Sequence, residues 1–151
     1  MAHIHYKNDF TVEVFVVHQD RVLLRLHDKY KIWLSVGGHI ELDEDPNKAA
    51  IREVKEEVGL DIKLYDTREF TLKNDHFEEL IPPIFLNTHA INDVHNHIGF
   101  TYFATAKTFD VIPEKKDDMW KWLSKDEVSD MSELEPQIKY YALKALETLG
   151  Q

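Results

Sequence analysis

Residues 38–60 read GHIELDEDPNKAAIREVKEEVGL. Asp45-Pro46 is a helix start: an aspartate side chain accepts from free backbone N–H groups, and proline at a first helical position lacks an N–H that would have no partner there. No glycine or proline interrupts Lys48 to Val58, and Ala50, Ile51, Val54 and Val58 recur at the spacing of one buried face. Gly59 supplies the stop. The spacing predicts an amphipathic helix over 46–58 that carries Glu53, Glu56 and Glu57 at i, i+3 and i+4, with all three carboxylates in one sector. Like charges so placed repel unless a cation sits among them, and a hard divalent ion such as Mg²⁺ or Mn²⁺ takes oxygen ligands of this kind. Arg52 is adjacent and suited to hold one glutamate through a bidentate pair. For an EVKEE string alone, a solvated helix face with Lys55 as partial counterion is the plainer reading.

The longer pattern decides between them. Gly38, Glu44 six residues on, Arg52-Glu53-Val54, Glu56-Glu57 and Gly59-Leu60 fill every fixed position of one signature, and in this the chain resembles the Nudix hydrolases. The resemblance implies an α/β fold, an α/β/α sandwich with a central mixed β-sheet, formed by residues 1–151 as a single domain. It implies metal-dependent hydrolysis of a diphosphate linkage by attack of water at phosphorus. Mg²⁺ or Mn²⁺ would be held by Glu53, Glu56, Glu57 and the Gly38 carbonyl, with Glu53 or Glu57 as general base, Arg52 orienting the catalytic glutamates, and Glu44 supporting the loop or an outer metal. Nucleotide sugars, dinucleoside polyphosphates and nucleoside triphosphates are the substrate classes expected. A nucleotide-sugar sensor without catalysis and an isomerase of small diphosphates are alternatives. Intact signature glutamates weigh against the first, and the absence of cysteine against the second.

The rest of the chain reads outward from this stretch. Phe10–Val17 is a β-branched and aromatic run, and His18-Gln19-Asp20 turns it into a second strand, Arg21–Leu26, as a hairpin. Residues 32–41 read as a strand, a glycine turn and another short strand; Val36 stands where many family members carry proline, which leaves the loop less stiff but removes no ligand. Asp61–Leu72 alternates and reads as a strand, 73–76 as a loop, and strands follow around Ile84–Ile91 and Ile98–Ala106. Met119–Leu123 is a short strand, Ser124 caps a helix through Val128, and Pro136 opens a last helix to Leu149 with Ile138, Ala142, Ala145 and Leu149 on one face. Arg25 is a candidate anion contact. His95 and His97 are candidates for substrate or phosphate contact, with metal ligation an alternative that needs a regular strand to bring both rings to one side. Phe77, Phe85, Phe100 and Tyr102 could stack on a base, although aromatic strands are more often core.

Eighteen basic residues against 28 acidic ones leave a net charge of −10. That disfavours a nucleic-acid polymer or an anionic membrane as partner and fits a small phosphorylated nucleotide reached through a metal. No apolar run is long enough to span a membrane, and Met1 to His5 has neither the basic start nor the apolar centre of a signal peptide, so a cytoplasmic location is expected and a homodimer is left open.

Overall fold

The computed structural model describes residues 7–151, so the signal-peptide reading of Met1 to His5 lies outside the described residues. In chain order the elements are β1 (Asn8–His18), β2 (Arg21–Leu26), β3 (Trp33–Leu34), β4 (Val36–His39), α1 (Pro46–Val58), β5 (Ile62–Leu64), β6 (Lys73–Asn74), β7 (Phe77–Glu78), β8 (Phe85–Asn92), β9 (His95–Ala106), β10 (Trp120–Ser124), α2 (Lys125–Asp130) and α3 (Pro136–Leu149). The main sheet has the path β10-β2-β1-β9-β5, with β3 on β2, β4 on β1 and β8 on β9. Among the described residues only β1 and β9 run parallel, in register from Asn8 opposite Asn96 to Val17 opposite Thr105. The sheet is therefore mixed, as expected.

The central strand is β1, and its free edge is shared. Val17 and His18 pair with Val22 and Arg21 across the turn at Gln19-Asp20, whereas Thr11 to Val14 pair with β4. The hairpin thus exists but is two pairs long; β2 then leaves β1 to pair with β3 and β10. That divergence opens the gap into which β4 is laid.

Alternation along β1 sorts the core. Val12, Val14 and Val16 face α1 and pack with Ala49, Ala50, Val54, Val58 and Tyr102. Phe15 and Val17 face the other way, against Phe103, Val128 and the α3 residues Ile138, Ala142, Ala145 and Leu146. Two helical layers on one sheet make the sandwich.

Several boundaries differ from the sequence reading. Gly37 and Gly38 lie within β4, opposite Glu13 and Val12, and not in a turn. A Cβ at Gly37 would stand 2.9 Å from the Val12 carbonyl carbon, so glycine serves close backbone approach here and not a reversal. β5 is three residues long, and beyond the bond from Tyr65 N–H to the Phe103 carbonyl the alternation of 61–72 is not used for pairing in the main sheet. The loop expected at 73–76 is instead a small hairpin, β6 with β7, turned at Asp75-His76. Ile51, assigned to the buried face of α1, is 46% exposed, and Ala49 takes its place. Of the aromatic candidates, Tyr102 is core, Phe100 packs beside it, Phe85 stacks on Tyr141 at 4.4 Å, and Phe77 is exposed.

Candidate active site

Both ends of α1 form as the residues dictate. The Asp45 side chain accepts from Lys48 N–H at 2.9 Å with Pro46 at the first position, and Gly59 closes the helix in the left-handed region at φ 68°. Beyond it, Ile112 N–H donates to the Val58 carbonyl and Glu114 N–H to that of Glu57, so residues 107–118 are laid across the C-terminal end of the helix. Asn47 does the same at the other end, donating to the Ile81 carbonyl and accepting from Ile81 N–H.

Arg52 is the hub. Its Nε and Nη2 donate to the two carboxylate oxygens of Glu44 at 2.9 and 2.6 Å, Nη1 to Glu53 and Glu56 at 3.1 Å each, and Nη2 also to the His39 carbonyl at 3.1 Å. The bidentate pair expected of Arg52 is thus made with Glu44. Glu44 also accepts from Glu41 N–H at 3.0 Å, so it ties the loop before α1 to the helix. Arg52 pulls the Glu44 carboxyl below its usual range, and Glu44 in turn raises the guanidinium pKa.

The three signature glutamates occupy three environments. Glu56 is more than half exposed beside Arg52. Glu53 reaches toward β4, where a Cβ at Gly38 would lie 2.5 Å from its carboxyl carbon; burial raises its pKa against the opposing pull of Arg52. Glu57 is 9% exposed, on the helix side facing the sheet. Its carboxyl pKa is pushed up to about 8, first by burial, with repulsion from Glu53 and Glu114 added and with Arg25 and the Gly37 N–H opposing. Arg25 stands 3.8 Å from Glu57 Oε2, too long for a hydrogen bond, and 3.6 Å from Asp118. Glu57 Oε2 is buried and has no hydrogen-bond partner. Among the described residues the three signature carboxylates do not converge on a preassembled cage.

Arg25 therefore lies at this site, held among carboxylates. His95 and His97 do not: β9 runs as a regular strand from His95, so both rings fall on one face, the face opposite α1 and beside Asp9. Asp9, His39, Glu114 and Asp118 were not singled out from the sequence. No local spacing marks them, because pairing between distant strands and the fold of 107–118 bring them in.

A mixed sheet between two helical layers, with an arginine-bound cluster of glutamates on the first long helix, defines a class. The chain belongs to the Nudix family: the family model of the NUDIX domain matches residues 7–146, and the chain is a hydrolase of that family. It is 40% identical over 119 residues to the dihydroneopterin triphosphate diphosphatase of Haemophilus influenzae, covering 76% of this chain and 75% of that protein. A NUDIX-family hydrolase from Clostridium perfringens superposes with a TM-score of 0.82 at 37% identity, over 93% of this chain and 97% of that one. The dihydroneopterin triphosphate pyrophosphohydrolase of E. coli shares the fold at TM-score 0.62 and 21% identity, over 95% and 96% of the two chains.

Proposed function

We propose that residues 1–151 act as a single hydrolase unit that cleaves a phosphoanhydride bond in a small nucleoside-like triphosphate, with dihydroneopterin triphosphate the first substrate to test. Removal of a diphosphate from a triphosphate adds water across one P–O–P bridge: the P–O bond to the diphosphate breaks, a P–O bond to water oxygen forms, and the proton of water is passed on. The H. influenzae relative acts on such a compound by its name, which supports the substrate class.

The observation that carries the reading is Glu57. A carboxylate buried without a hydrogen-bond partner for one oxygen is costly, and the donors proposed to join Glu57 on an ion, Glu53, Glu56 and the Gly38 carbonyl, are all oxygen. This set fits Mg²⁺ or Mn²⁺ and no thiophilic ion. When bound, such an ion offsets charge on the phosphoryl oxygens and lowers the pKa of a coordinated water. Arg52 holds Glu53 and Glu56 in place through its contacts with both, while Glu44 fixes Arg52. Glu57, or Glu53 beside it, takes the proton of the attacking water, and Arg25 tempers the cost of ionising Glu57. On this reading the 107–118 loop, anchored at the C-terminal end of α1, and the segment around Ile81, tied to Asn47 at the other end, select the group beyond the phosphates.

Incubation with dihydroneopterin triphosphate and Mg²⁺ should release pyrophosphate. EDTA should abolish the reaction and Mg²⁺ or Mn²⁺ restore it. Activity indifferent to chelation would count against the metal, and ligand binding without product would leave a sensor as the better reading.

A further inference from the structure

On the sheet face opposite α1, the first half of β1 is not apolar. Asp9 is only 1% exposed there, and its neighbours are histidines: His95 Nε2 lies 3.2 Å and His39 Nε2 3.4 Å from Asp9 Oδ2. His97 completes the group, its ring centroid 5.0 Å from that of His39 and 5.5 Å from that of His95. One ligand atom from each of Asp9, His95 and His97 falls within 4.8 Å of the others. His89, opposite His97 on β8, flanks the set at 5.2 Å.

We propose that Asp9, His95 and His97, with His39 beside Asp9 as the fourth ligand drawn in on binding, form a second metal site, separate from the signature glutamates and selective for Zn²⁺ or a similar borderline divalent transition ion. Three arguments support it. The first is distance. Ligand nitrogens and oxygens about 2.0–2.1 Å from a tetrahedral ion are about 3.3 Å apart; the His95 and His39 separations from Asp9, 3.2 and 3.4 Å, match that edge, and the His97 ligand atom, within 4.8 Å of those of Asp9 and His95, closes on the ion by a side-chain adjustment. The second is donor chemistry. One carboxylate and three imidazoles suit zinc and are a poor set for Mg²⁺, which prefers oxygen. The third is rigidity. The ligands come from β1, the end of β4 and β9, and regular alternation in β9 sets His95 and His97 on one side, so the backbone is already fixed and only side-chain adjustment remains on binding.

Such an ion would pin β4 to β1 and β9. The strand it pins carries Gly38, over which Glu53 lies, and the His39 carbonyl that accepts from Arg52. The site is thus a structural clamp one strand away from the catalytic helix, and it stands whether or not the substrate assignment does.

The test uses the full chain stripped of metal and titrated with Co²⁺ at neutral pH in excess Mg²⁺, followed by Zn²⁺. Intense visible d–d bands of a four-coordinate Co²⁺ should appear with one equivalent, resist Mg²⁺ and vanish on Zn²⁺ addition. They should persist in Glu57→Gln and be lost in His97→Gln and in His39→Gln. Zn²⁺ should raise the Tm of the wild-type chain and leave that of His97→Gln unchanged. Absence of the bands from the wild-type protein would overturn the site without any variant having to fold; so would bands lost in Glu57→Gln or retained in both histidine variants.

Discussion

Glu57 illustrates how one buried carboxyl can couple chemistry to stability. In the folded chain its pKa is near 8, against an ordinary 4.5, so between these values the folded state holds a proton that the unfolded state has released. Raising the pH through that window therefore destabilises the fold when no cation is present. His97 acts with the opposite sign, since its pKa of about 4 in the fold favours folding as pH rises toward its ordinary 6.5. The clean window is pH 6.5 to 8. In EDTA the Tm of the wild-type chain should fall across it, while that of Glu57→Gln should stay level and lie higher at the alkaline end. The same substitution should lower kcat by orders of magnitude, and a fully active variant would remove Glu57 from the mechanism. Gly38 makes a separate case. A methyl group there meets the end of a flexible side chain and not backbone, so Gly38→Ala should fold with little change in Tm but move the Glu53 carboxylate. Misplacement by about an ångström costs on the order of a hundredfold in turnover, which steady-state rates at saturating Mg²⁺ would measure.

At the scale of elements, α1 is the part most fully legible in the sequence. Its ends are local: an aspartate cap, a proline and a glycine act within four residues of themselves, and the observed span 46–58 agrees with the expected one. The last helix is legible for the same reason, and Ser124 with Glu127 forms a reciprocal capping box at α2. Gly59 is the element-scale test. Its φ of 68° costs a residue with a Cβ about 1–2 kcal/mol, and that Cβ would stand 2.8 Å from Cβ of Ile112. Gly59→Ala should lower the unfolding free energy measured by denaturant titration by at least that amount, and Gly59→Asn, which tolerates the left-handed region better, separates backbone strain from the contact with Ile112. Strands were less legible. The alternation of 61–72 looks like a long strand, yet only Ile62–Leu64 meets a partner, Leu64 to Ile62 opposite Ala104 to Ala106. Periodicity reports a face; pairing needs a neighbour, which lies some forty residues away.

For the molecule as a whole, the signature between Gly38 and Leu60 determined the family and the helix, and it supplies the residues proposed for the cleavage chemistry, because its spacing is a local code that each turn of α1 reads directly. Arg52 is legible in the same code, although the partner it grips twice, Glu44, follows from the path of the loop. What only the tertiary structure decided is where β1 shares its edge. Because β2 leaves β1 after two pairs, β4 can enter, and Gly38 is thereby set against Glu53 while His39 turns to the other face. Asp9, His95 and His97, separated by more than eighty residues, meet only because β1 and β9 run parallel in this register. Local propensity acts over a few residues, whereas sheet register is settled by burying both faces of β1 at once, and no short stretch of sequence contains both faces.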